Sequence, residues 1–133
     1  MGMNRLSFRY IFLAVMRQLI FYPLLVILFY SNVAFADFSI IYQREEFLQV
    51  ITGRQLKRPL IELNVSDTGG INGSALTTPL RGTWKWQDGY FCRDLFWGNR
   101  DLGYNCQQVS LKDNKIRFTS DQGRGDYADF TLR

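Results

Sequence analysis

From Leu60 to the C-terminus, apolar and polar residues exchange places with a period of two. Ile61, Leu63 and Val65 alternate with Glu62 and Asn64. Leu80, Gly82, Trp84 and Trp86 fall on one side of their run, and Arg81, Thr83, Lys85 and Gln87 on the other. Ala128, Phe130 and Leu132 repeat the pattern near the end. A strand sends successive side chains to opposite faces, so this is the signature of sheets buried on one side. About seven strands are predicted on this basis, over residues 60–66, 71–76, 80–87, 90–97, 104–111, 115–120 and 126–132.

The segments between them carry turn chemistry. Asp88-Gly89 is the strongest hairpin signal, because a two-residue turn of the favoured hand needs positive φ at both central positions. Asp67-Thr68-Gly69-Gly70, Lys112-Asp113-Asn114 and Asp121-Gln122-Gly123-Arg124-Gly125 are further turns, and Thr77-Thr78-Pro79 reads as a break before Leu80. The stretch Gly98 to Gly103 reads as a loop. A hairpin centred near Asn99 sets Cys92 opposite Cys106, Asp94 opposite Tyr104 and Phe96 opposite Leu102.

One segment departs from the two-residue period. Across residues 43–52, Phe47, Leu48 and Ile51 lie on one helical face. Glu45 and Glu46 sit in the first turn, where the helix dipole favours carboxylates, and Gly53 is suited to end the helix. These elements predict a mostly β domain: a small antiparallel meander barrel or curled sheet of about seven strands, with one short N-terminal helix over an end or edge. A β-sandwich is the alternative.

The first 36 residues follow neither pattern. Arg5, Arg9 and Arg17 are their only charges, the run from Leu19 to Tyr30 is apolar, and Ala34-Phe35-Ala36 closes the segment. A basic flank, a short apolar run and an A-x-A end make a secretory signal peptide, so residues 1–36 are predicted as the leader and 37–133 as one disulfide-closed β domain. The competing reading is an uncleaved anchor. The run is short for a span of about 20 residues, Pro23 interrupts it, and extending it back to Tyr10 would bury Arg17. No stable membrane span is expected after cleavage, and the predicted location is periplasmic or secreted.

Export changes the charge and cysteine arguments. Of 16 basic residues three leave with the leader, so the remaining domain is almost balanced against its 12 acids. A nucleic-acid partner needs a basic patch on the folded domain, and none is expected. Cys92 and Cys106 are the only cysteines, and an oxidising compartment favours their pairing. Free thiols or a two-cysteine metal site are the alternatives, but zinc would need further ligands that a chain without histidine does not supply.

The missing histidine also removes the usual triads and the imidazole base. No nucleotide-binding or nucleophile-elbow motif is present. Neither a catalytic residue nor a cofactor nor a metal ligand is assigned; a two-carboxylate enzyme stays open as a weaker alternative, with Asp94, Asp101, Asp126 and Asp129 as acids at hand.

The densest local feature is aromatic. Trp84, Trp86, Tyr90, Phe91, Phe96, Trp97 and Tyr104 cluster with Arg93 and Arg100. Aromatics suit strand cores, yet Trp, Tyr and Arg together also make up interface hot spots. Trp84, Trp86, Tyr90, Arg93, Trp97 and Arg100 are therefore the candidate binding residues. Arg93 and Asp94 point to opposite faces of one strand and are not expected to pair.

The stretches Gly82-Thr83-Trp84-Lys85-Trp86-Gln87-Asp88-Gly89-Tyr90-Phe91-Cys92-Arg93 and Asp101-Leu102-Gly103-Tyr104-Asn105-Cys106-Gln107 resemble a group of small exported alphaproteobacterial proteins. Ile116 to Asp121 and Gly123 to Asp126 share that resemblance. Some of the group carry the label dihydrodipicolinate reductase. That enzyme is cytoplasmic, more than twice as long, and built on a nucleotide-binding α/β domain with catalytic histidine and lysine, and none of its motifs occurs here. The chain also loosely resembles periplasmic lysozyme inhibitors, small disulfide-bearing barrels, in predicted fold alone, without their signature loop of Ser-Gly followed by a basic residue and Tyr. The expectation is an exported, non-enzymatic domain whose aromatic/Arg face binds a small ligand or a protein of the cell envelope. A structural or inhibitor-like envelope protein is the alternative.

Overall fold

The computed structural model describes residues 37–133; the predicted leader over residues 1–36 lies outside the described residues. The chain runs β1 (Ser39–Ile41), α1 (Arg44–Ile51), β2 (Leu56–Arg58), β3 (Ile61–Val65), β4 (Gly70–Ala75), β5 (Thr78–Gln87), β6 (Tyr90–Trp97), β7 (Arg100–Lys112), β8 (Lys115–Thr119) and β9 (Tyr127–Leu132). Strands β2 to β9 pair antiparallel in chain order, and β9 returns to β2 through Leu56↔Leu132 and Lys57↔Thr131. The result is a closed eight-stranded up-and-down barrel rather than a sandwich. Closure leaves no sheet edge between first and last strand, which protects a small β domain from edge-to-edge association.

The predicted strands are present, and two more join them. β1 and β2 are three residues each, too short for alternation to reveal them. β1 lies against Val109 to Leu111 of the long β7, beyond the stretch that pairs with β6.

Two turn readings need correction. Thr78 and Pro79 do not break the chain but begin β5, opposite Ala75 and Ser74. The proline is tolerated because its amide side faces β6 past that strand's last pair, Leu80↔Trp97, so no ladder bond is lost. Its carbonyl accepts the Gly98 N–H at 2.8 Å. The loop expected over Gly98 to Gly103 is a two-residue turn, with Arg100 already paired to Trp97. Cys92↔Cys106 and Asp94↔Tyr104 hold as predicted, but Phe96 faces Asp101 instead of Leu102. An extra residue on β7 makes a bulge there, and Gly103 (φ 79°) supplies its left-handed backbone. At Asp88-Gly89 both φ angles are positive (54° and 82°), the turn that the dipeptide predicts.

Neighbouring strands approach closely where two positions carry no side chain. A Cβ at Gly73 would strike the Glu62 carbonyl, and one at Gly82 the Asp94 carbonyl, each on the neighbouring strand. Glycine at these positions lets backbones approach as a tightly curled sheet requires.

Helix α1 covers one end. Phe47 and Ile51 are 0% and 1% exposed, and Gly53 (φ 72°) follows the helix as its left-handed stop. Among the described residues, no helix is long and apolar enough to cross a membrane.

Candidate functional site

The inward face of β6 reads Phe91, Arg93, Leu95, Trp97, and that of β5 Leu80, Gly82, Trp84, Trp86. Register settles which faces are inward, because Trp84 pairs with Arg93 and Trp86 with Phe91. Two quite different interiors result, one at each end of the barrel.

At the helix end the interior is filled. The Phe47 ring lies 5.2 Å from Trp84 and from Trp86, and 5.3 Å from Phe91. Phe118 and Phe130 continue the stack, 6.0 Å apart. Such aromatic pairs add to area burial and lock one another's rotamers. Each indole N–H is spent on the main chain: Trp84 Nε1 donates to the Ser66 carbonyl (2.8 Å), Trp86 Nε1 to Tyr42 (3.2 Å) and Trp97 Nε1 to Ala75 (3.2 Å). The two-tryptophan stripe of β5 therefore faces the core.

Beyond this layer lies a cavity of about 150 Å³. Its floor is Leu56, Phe91, Phe118 and Phe130, all buried; the half-buried Leu63, Leu95, Arg93, Gln107 and Ala128 belong to the same lining. Inward-facing side chains that still see solvent must see it through the barrel mouth, so the cavity is a cup open opposite α1. Arg93 Nη1 donates to the Gly103 carbonyl at 2.7 Å. Among the described residues the ion pairs are Lys57–Glu62 and Arg117–Asp129, and no carboxylate pairs with Arg93. Burial pulls the Arg93 guanidinium below its ordinary pKa, with the Asp94 charge on the opposite face partly offsetting this. Guanidinium groups start so high that it stays charged at any physiological pH.

The rim adds a second cation. The Arg58 guanidinium lies 5.6 Å from the centroid of Phe130, one of the cavity's floor residues. Two acids at this end are engaged by neighbours: Asp101 Oδ1 accepts the Gly103 N–H (2.7 Å), and Asp121 Oδ1 accepts from Asn105 Nδ2 (2.8 Å). Asp121 and Gln122 hold left-handed φ of 52° and 56° in the Ser120–Gly123 turn, and Asn105 helps fix that strained backbone by accepting the Asp121 N–H at 3.0 Å.

The six predicted binding residues are thus dispersed. Trp84 and Trp86 belong to the helix-end core, Trp97 closes the rim against β4, Tyr90 is half-buried at the β5–β6 turn, and Arg100 is exposed at the start of β7. Arg93 alone lines the cup. Gln107 and the apolar wall were missed. A signal for Arg93 was present, since it is the single charge on an otherwise apolar face of its strand. Nothing comparable marks Leu56 or Ala128, which belong to the cup only once the barrel closes.

On the ladder face opposite Phe91 and Arg93, the Cys92–Cys106 disulfide, with Cys92 itself buried, joins β6 and β7 directly across the ladder, with Cα atoms 3.9 Å apart. It sits between the inward pairs Phe91↔Gln107 and Arg93↔Asn105, and so fixes the wall that presents Arg93 and Gln107. On the exterior, Arg117 makes a two-bond pair with Asp129 (2.6 and 2.8 Å) and lies between the Phe38 and Tyr127 rings at 4.0 and 3.9 Å. That hydrogen-bonded pair holds the Asp129 carboxyl below its usual range and raises the arginine. Its evident role is to fasten the N-terminal segment to the barrel wall. Among the described residues, no three histidine, cysteine or carboxylate side chains come together as a metal site would require.

No protein-family model, curated protein or solved structure matches the chain.

Proposed function

We propose that this is an exported, non-enzymatic binding domain whose barrel holds a small molecule in the cup beside Arg93. The observation that carries the reading is the cavity itself: apolar over most of its surface, open at one end, and provided with one cation that lacks an ion-pair partner. Ligand sites are typically concave, largely apolar and furnished with a few convergent polar groups, and small closed barrels offer them at their mouths. The disulfide supports export, since such bonds persist in oxidising compartments. Of the aromatic/Arg face expected from the sequence, Arg93 alone lines the cup, above a floor of Leu56, Phe91, Phe118 and Phe130.

Native mass spectrometry of the protein purified without reductant tests this. A reproducible added mass of small-molecule size is expected, and Ala128→Leu, which puts a larger side chain into the cup, should abolish it. An added mass that survives this substitution belongs elsewhere and overturns the assignment.

A second reading is favoured by a separate observation. Phe96, Leu102 and Tyr104 are 41%, 41% and 53% exposed, all on the β6–β7 hairpin stiffened by the disulfide. Exposed apolar residues grouped on a rigid hairpin suit a protein contact, in keeping with an inhibitor-like or structural envelope role. Binding to an envelope protein that Phe96→Ser abolishes and Ala128→Leu leaves intact would favour this second reading over the first.

A further inference from the structure

We propose that the cup selects compact organic anions, namely carboxylates of about benzoate size, with the ring or short chain inside the barrel and the carboxylate on the Arg93 guanidinium. This rests on the small-molecule reading above and narrows it to one ligand class.

Size sets the first limit. A cavity of about 150 Å³ lined by apolar side chains holds a benzene-sized molecule. Long acyl chains and oligosaccharides do not fit inside it. The lining sets the second. Leu56, Phe118 and Phe130 offer no hydrogen bonds, and the polar groups of the wall are confined to Arg93 and Gln107. The ligand must therefore be apolar along most of its length and polar at one end, or its other polar groups would be stranded.

Charge sets the third. A guanidinium carries five N–H donors in a flat fork, and the Gly103 carbonyl takes one of them. A carboxylate can accept two others in parallel, a match in shape as well as charge. With no acid paired to it among the described residues, Arg93 is a half-buried cation awaiting a counter-charge. Arg58 over Phe130 places a second positive charge on the approach. A ligand cation would meet two like charges there, and a neutral ligand would leave Arg93 uncompensated. Inorganic phosphate could satisfy the arginine but would leave the apolar floor unused.

The test is titration of the oxidised, full-length protein at neutral pH with benzoate, benzyl alcohol, benzylamine and inorganic phosphate, by calorimetry and by the NMR signals of the cavity wall. Benzoate is expected to bind at least tenfold more tightly than benzyl alcohol, with benzylamine and phosphate weakest. In Arg93→Gln that preference should fall by about 10- to 100-fold, the worth of a charge-assisted hydrogen bond, while benzyl alcohol binds as before. Arg93→Lys should keep part of the preference, and it stands in if the glutamine variant fails to fold. Equal binding of benzoate and benzyl alcohol to the unaltered protein overturns the anion selectivity and leaves the cup as a binding site. Phosphate binding as tightly as benzoate overturns the apolar half of the inference. Benzoate binding untouched by both Arg93→Gln and Ala128→Leu, or no probe binding at all, overturns this inference and the cup assignment together.

Discussion

The two ends of the barrel are made from the same strands and solve opposite problems. At the helix end, Phe47 enters the lumen and meets Trp84, Trp86 and Phe91, so large rings occupy the space and every indole N–H is bonded to backbone. At the open end the small Ala128 leaves the lumen unfilled, and a charged residue, Arg93, stands where a core would have placed leucine. One end is built to be stable and the other to be vacant. Under the proposed function, stability and binding are allotted to separate layers of one small lumen, so each can be altered with limited effect on the other.

The largest effect should come from the filled end. Phe47→Ala removes the ring that joins α1 to the aromatic layer, and loss of a buried phenylalanine costs about 3–5 kcal/mol; chemical denaturation should show it as a large drop in midpoint. A comparably small loss for this variant would mean that α1 is an ornament on a barrel that stands without it. Next comes the bond between the layers. Reducing or deleting Cys92–Cys106, whose cysteines are 14 residues apart in sequence, should cost about 3 kcal/mol in the chain-entropy model, read as a lower thermal midpoint under reductant. Because the bridge sits between the pairs that carry Arg93 and Gln107, ligand affinity should fall with it.

The open end should respond in the opposite sense. Arg93→Met gives up one hydrogen bond to Gly103 and also the burden of a half-buried, unpaired charge, so unfolding should shift by less than about 1 kcal/mol while anion binding is lost. A destabilisation as large as that of Phe47→Ala would erase the distinction between the two ends. The smallest effect belongs to neither. Arg117 lowers the Asp129 pKa in the folded state, so this pair's contribution is fully present above the unfolded carboxyl value, about 3.9, and is lost as pH falls through the lower folded value. In stability measured against pH, Asp129→Asn should lower stability by about 1 kcal/mol or less at neutral pH, and the two proteins should converge as pH falls well below about 4. A change in ligand affinity at neutral pH in this variant would show the exterior clamp reaching the cup.

Local features of the chain were legible in advance. Alternation marked strands β3 to β9, Asp88-Gly89 marked the turn that it forms, Phe47 and Ile51 marked the buried face of α1, and the cysteine spacing placed Cys92 opposite Cys106. These follow from the sequence because they depend on neighbours: the pleat sets a period of two, a helix one of 3.6, and a hairpin's register is counted from its turn. Barrel closure does not work that way. It rests on β2, three residues long, meeting β9 at the far end of the chain, and on glycines that let neighbouring strands approach closely. The bulge at Gly103 likewise arises from the fit between two strands, and it moved Phe96 from Leu102 to Asp101. The cup was least accessible of all, because empty space has no residue to encode it. Arg93 could be read as a charge on an apolar face; that the face encloses a cavity was decided only when eight strands closed around it and a helix stopped one end.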